Sequence, residues 1–161
     1  MSALTTGDLQ VITEAAQSYF SRLTREAARV SAAYLAERHA LPEFDYTGLI
    51  RVSGSHRGCV YFTAPKMMMR YLLLSVGETL QGDEIFMDAA GEIANTIAGN
   101  ARKHFGEKME ISVPTTLKGA GLEELGRSGV LQILRERPMV INIQWQTMAA
   151  ALVVDLETAA A

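Results

Sequence analysis

Within the stretch Asp83 to Phe105, DEIFMDAAGEIANTIAGNARKHF, the residues Asp88, Glu92 and Asn95 stand four and three positions apart. On a helix that spacing sets them side by side, so that carboxylates and an amide can act on one target. A carboxamide carries both a donor and an acceptor, and can hold a water in one orientation without being a base. Such help suits a substrate with a good leaving group. An acyl phosphate is one, because its hydrolysis needs an aligned water and charge stabilisation more than proton abstraction. An amide also avoids the repulsion that a second carboxylate would meet near phosphoryl oxygens. The stripe continues through Gly99 and Arg102, and Gly91 and Ala98 flank it, a face shaped for close approach. Three uses stay open: a water-positioning surface, a docking or dimer contact built on small residues, and a metal site on Asp88 and Glu92. For the last, no His or third carboxylate accompanies the pair on this face.

The opposite side of the same stretch is apolar, with Phe86, Ala90, Ile93, Ile97 and Ala101 in one arc, as an amphipathic helix packed on a core requires. Asp83 is the expected N-cap and Gly106 the stop. Residues 8–39 hold no Gly or Pro, and an apolar stripe through Ile12, Ala16, Tyr19, Leu23, Ala27, Val30 and Tyr34 predicts one long helix, capped by Asp8 and ended before Pro42. Tyr46–Ser53 and Gly58–Thr63 read as a hairpin across the Gly54–Gly58 link, with His56 solvated in the turn. Pro65 opens a heavily buried helix, Lys66–Val76, whose methionines 67–69 fill core space. Strands are expected at Glu107–Val113, Thr115–Lys118, Met139–Gln146 and Ala150–Leu156. Gly119–Gly129, with Leu122-Glu123-Glu124, reads as a connection, and Ala159–Ala161 as a frayed tail. The sum is an α+β fold: a mostly antiparallel sheet packed with two long helices and a shorter buried one.

At 161 residues the chain suits one domain able to bury its own core without staples. Its net charge of −3 and the lack of a Lys/Arg run argue against a nucleic-acid partner. No apolar run is long enough to span a membrane, and the N-terminal residues carry no signal core, so a cytoplasmic location is expected. The single Cys59 reads as a small buried side chain, and His104, on the apolar side of its helix, as a hydrogen-bonded structural residue. Phosphate-loop, His-pair, Ser-His-Asp and paired-cysteine patterns are all missing.

Asp88-x3-Glu92-x2-Asn95 with Gly99 and Pro114, and above all the string GEIANTIAGNA from Gly91 to Ala101, resembles the signature of the CheC and CheX family of response-regulator phosphatases. Gly54, Gly58 and Pro65 around Val60-Tyr61-Phe62, and ISVPTTLKG from Ile111 to Gly119, extend the resemblance from the first hairpin toward the C-terminal strands. It implies a phosphatase acting on a phosphorylated CheY-like receiver domain. Glu92 would engage a receiver lysine and Asn95 would position the attacking water, with Asp88, Gly91, Gly99 and Arg102 at the partner surface. The Mg2+ would belong to the receiver, so no cofactor is expected in this chain. CheC-like members carry the motif twice and CheX-like members once. Here Glu14-x2-Gln17, with Gln10 and the downstream Pro42, is the one trace of a second copy. The CheX-like form implies a homodimer joined through the sheet. The alternative is a non-enzymatic module that docks a receiver or flagellar switch protein.

Overall fold

The computed structural model describes residues 4–122 and 138–159. The elements run α1 (Thr6–Thr24), β1 (Arg29–Leu35), a 3-10 turn (Arg38–Ala40), β2 (Tyr46–Gly54), β3 (His56–Ala64), α2 (Lys66–Ser75), α3 (Asp83–Phe105), β4 (Met109–Ile111), β5 (Thr115–Lys118), β6 (Met139–Trp145) and β7 (Met148–Thr158). The strands form one antiparallel sheet in the order β1-β6-β7-β3-β2-β4, with β5 also paired to β2. The α+β expectation holds. The predicted connection beyond Leu122 and the tail beyond Ala159 lie outside the described residues.

Period-two alternation decides which strand residues face the helices. Ile50, Val60, Phe62, Leu152, Val154, Ile141 and Trp145 point inward to meet Ile12, Ala16 and Phe20 of α1, Met68, Met69 and Leu72 of α2, and Phe86, Ile93 and Ile97 of α3. Each fully buried side chain of this size contributes about 1.5–3 kcal/mol relative to exposure. The reverse face carries a second cluster, Leu49, Cys59, Tyr61, Val140 and Val153, covered by Ala36, Leu41, Phe44 and Leu117. Cys59 is buried there as expected, and burial, with the negative charge of Asp155 adding to it, pushes its thiol up to about 12.

The first long helix is a correction. It ends at Thr24, and Arg25 takes a left-handed conformation with φ 62° as its C-cap. The Thr24 hydroxyl donates to the Phe20 carbonyl at 2.7 Å and accepts from the Glu26 N–H at 3.1 Å and from Trp145 Nε1 at 3.2 Å, fixing the reversal. Val30 to Leu35 then pair with β6. No Gly or Pro marks this stop, so propensity alone continues the helix; strand pairing overrides it. The N-cap is Thr5, with Asp8 as the reciprocal partner of a capping box. Likewise Gly82, not Asp83, caps α3.

Two burial expectations also change. His56 is a buried β3 residue, its ring 4.8 Å from that of Phe105 and its Nδ1 2.9 Å from Ser55 Oγ, because the hairpin turn is tighter than Gly54–Gly58. In α2 only one side is buried. Met67, Tyr71 and Leu74 are exposed, since the sheet and α3 reach a single face of the helix. Its N-terminus is capped from a distance, the Asp45 carboxylate accepting from Lys66 N–H at 2.7 Å.

Candidate functional site

α3 lies across β2 at a point where side chains would forbid it. A Cβ on Gly48 would stand 2.3 Å from the Ala90 carbonyl oxygen, and one on Gly91 would stand 2.8 Å from Thr116 Cγ2 and 3.1 Å from Pro114 Cβ. These two glycines let the helix sit directly on the sheet, with the Pro114–Thr116 segment closed against its flank. Asp83 ties the start of α3 to the same strands: its carboxylate accepts from the Tyr46 hydroxyl and from Lys118 Nζ at 2.5 Å. The lysine contact, then the tyrosine bond, hold that carboxyl below its usual range. At the other end His104 Nε2 meets Asp8 Oδ1 at 2.9 Å, which joins the last turn of α3 to the first turn of α1. His104 is hydrogen-bonded as expected, yet it stands exposed rather than on the apolar side.

With α1 along one flank and Pro114 along the other, a narrow ridge of α3 faces outward. Asp88 and Glu92 are exposed on it, and Asn95 and Gly99 are partly exposed. A Cβ on Gly99 would meet nothing within 4 Å, so the ridge is open there. Glu92 accepts from the Thr96 hydroxyl at 3.5 Å, at the long limit of a hydrogen bond. Among the described residues no side-chain hydrogen bond engages the Asn95 amide. Its donor and acceptor are free for a ligand.

The other residues named from the sequence are placed differently. Gly91 is buried beneath Pro114 and Thr116, so what it offers the site is close packing of that flank. Arg102 donates from Nε to the Met109 carbonyl at 2.6 Å and from Nη2 to that of Glu107 at 3.1 Å, tethering the turn into β4. Among the described residues no group of three or more His, Cys, Asp or Glu is placed to hold a metal, so Asp88 and Glu92 stay a pair. No helix among them is long and apolar enough to cross a membrane.

Sequence reasoning missed the flank on α1. Ser18, Tyr19, Arg22 and Leu23 line, with Thr96 and Asn100, a groove of about 240 Å³ beside the ridge. Burial, and then the charge of Glu92, push the Tyr19 hydroxyl up to about 12. Thr96 was within reach of the argument, standing four residues past Glu92. Tyr19 was not, because only packing brings α1 to it.

The family model for chemotaxis phosphatase CheX matches residues 46–134. No match was found among curated proteins. Among solved structures, CheX from Vibrio vulnificus superposes with a TM-score of 0.75 at 16% identity, over 94% of this chain and 100% of that one. The complex of CheX with CheY, BeF3 and Mg2+ from Borrelia burgdorferi matches with a TM-score of 0.70 at 13% identity, over 92% and 97%. FliY from Thermotoga maritima matches with a TM-score of 0.63 at 14% identity, over 96% and 92%. At these identities the likeness is one of fold.

Proposed function

The chain belongs to the CheX family of chemotaxis phosphatases, and from that premise we propose that it hydrolyses the aspartyl phosphate of a CheY-like receiver domain. The observation that carries the reading is the open ridge of α3, where Glu92 and Asn95 lie side by side and, among the described residues, the Asn95 amide has no side-chain hydrogen bond. In the reaction a water attacks phosphorus, the bond from phosphorus to the aspartyl oxygen breaks, and the carboxylate and inorganic phosphate leave. Asn95 holds the water in line, a positioning task that needs no base. Glu92 pairs with the receiver lysine and anchors the two surfaces. Asp88 and the bare Gly99 border the contact. The metal is the receiver's, in keeping with a Mg2+ in the Borrelia CheX–CheY complex.

A homodimer through the sheet forms part of the proposal. β1 pairs with β6 on one side only among the described residues, and Tyr34 and Leu35 are exposed on that edge strand.

The test is the phosphate lifetime of candidate receivers from the same genome, with wild type and Asn95→Ala side by side. Wild type should shorten it and Asn95→Ala should not, with the fold intact by circular dichroism. Full activity in Asn95→Ala would remove the mechanism. In a second reading, which asks of the exposed ridge only its shape and charge, it docks a receiver or switch protein without hydrolysis. Receiver binding with an unchanged phosphate lifetime would establish it.

A further inference from the structure

The groove between α1 and α3 runs into the ridge through Thr96, which both lines it and donates to Glu92. Its lining joins the Tyr19 ring and the exposed Leu23 to a cation, Arg22, and to the neutral polar groups of Ser18, Thr96 and Asn100. Among the described residues no carboxylate lines it and Arg22 makes no ion pair. The ridge beside it carries the opposite sign, in Asp88 and Glu92. A cation on Glu92 and an amide at the phosphate define a line of contact, and a partner can still turn about that line. A second contact of opposite charge on the neighbouring helix stops the turn, and in-line attack requires it to be stopped.

We infer that this groove is a second docking point for the phosphorylated receiver, taking a receiver carboxylate onto Arg22 and an adjoining apolar side chain between Tyr19 and Leu23. The inference rests on the receiver being the partner, and it adds α1 to a site so far built on α3. Arg22 is then a positioning residue that sets affinity and orientation without touching the reacting atoms. Continuity with the ridge and the charge pattern select this occupant over a free small anion, which would have no use for the apolar part of the lining.

The experiment measures dephosphorylation against receiver concentration at two salt concentrations, for wild type, Arg22→Glu, Arg22→Lys and Asn100→Asp. Binding of the same receivers loaded with beryllofluoride and Mg2+ is measured in parallel. Arg22→Glu should raise the half-saturating receiver concentration about tenfold and flatten its salt dependence, with the loss falling on half-saturation rather than on saturating turnover. Arg22→Lys should restore most of it. Asn100→Asp, which places a like charge in the groove from the other helix, should act in the same direction and guards against a folding defect in α1. Active wild type with unchanged half-saturation in Arg22→Glu and Asn100→Asp overturns the groove and leaves the phosphatase reading standing. Wild type that binds loaded receiver without hydrolysis, while Arg22→Glu loses binding, supports the groove and overturns the phosphatase reading. Absence of both binding and hydrolysis overturns both.

Discussion

α1 and α3 lie antiparallel against the same sheet, and each carries a glutamate followed three residues later by a side-chain amide. On α3, Glu92 and Asn95 stand on an open ridge between two flanks. On α1, the Gln10 amide donates to Glu14 at 3.0 Å and occupies the carboxylate. Pro42, which from the sequence could have played the part of Pro114, lies on the far face of the sheet, where its carbonyl accepts from the Tyr61 hydroxyl at 2.9 Å and Leu41 and Phe44 cover the reverse cluster. Pro114 instead packs directly on Gly91. The same spacing thus stands on an open ridge flanked by Pro114 in one helix and on a solvated edge in the other. Glu14 and Glu92 each accept from a side chain four residues away, and among the described residues neither Gln17 nor Asn95 has a side-chain hydrogen bond, so the difference lies in the rigid flank that stands beside Glu92 and Asn95.

Substituting the two amides in parallel tests that contrast most strongly. Asn95→Ala should lower receiver dephosphorylation by about 100-fold, while Gln17→Ala should leave the phosphate lifetime at its wild-type value. Equal losses in the two variants would show that α1 holds a working site after all. Next in size is the flank. Gly91→Val puts a side chain where Thr116 and Pro114 already pack, and should cost about 1–3 kcal/mol in urea denaturation; an unchanged midpoint would show that the flank yields freely.

Glu92→Ala should raise the half-saturating receiver concentration about tenfold, and Glu14→Ala should leave the same titration curve where it was. The smallest effect belongs to the start of α1. Thr5→Ala removes the hydroxyl half of the capping box and should cost about 1 kcal/mol of stability near neutral pH without altering phosphatase activity. Asp8 adds a pH dependence to it. The backbone N–H of Thr5, with His104 also contributing, holds the Asp8 carboxyl below its ordinary value of 3.8. A depressed folded pKa stabilises above the unfolded value and loses that contribution as pH falls through the folded one. Urea melts at pH 7 and pH 3 should therefore show the gap between wild type and Asp8→Ala narrowing in acid; a constant gap would exclude the Asp8 carboxylate from the cap.

Much of the fold was legible where local pattern and tertiary use agree. The 3.6-residue period of α3, the alternation of Val60 and Phe62, and Ile141, Ile143 and Trp145 on one face all match the core that formed. Legibility failed where a distant element made the decision. The turn at Arg25 depends on Trp145 and Thr24 meeting, the burial of His56 on Phe105, and the half-exposure of α2 on how little of it the sheet reaches. Gly48 drew no notice, for the clash it avoids is with a carbonyl on another element.

What the sequence determined by itself was the content of the ridge: an acid, a glutamate, an amide and a glycine at helical spacing, on a helix whose other side must be buried. That follows because side-chain direction along a helix is set by the backbone period alone. Only the tertiary structure closed Pro114 and Thr116 against Gly91 beside the ridge, and brought Tyr19 and Arg22 of α1 to its edge. Those outcomes depend on contacts between residues far apart in the chain, and no local pattern encodes which of them will form.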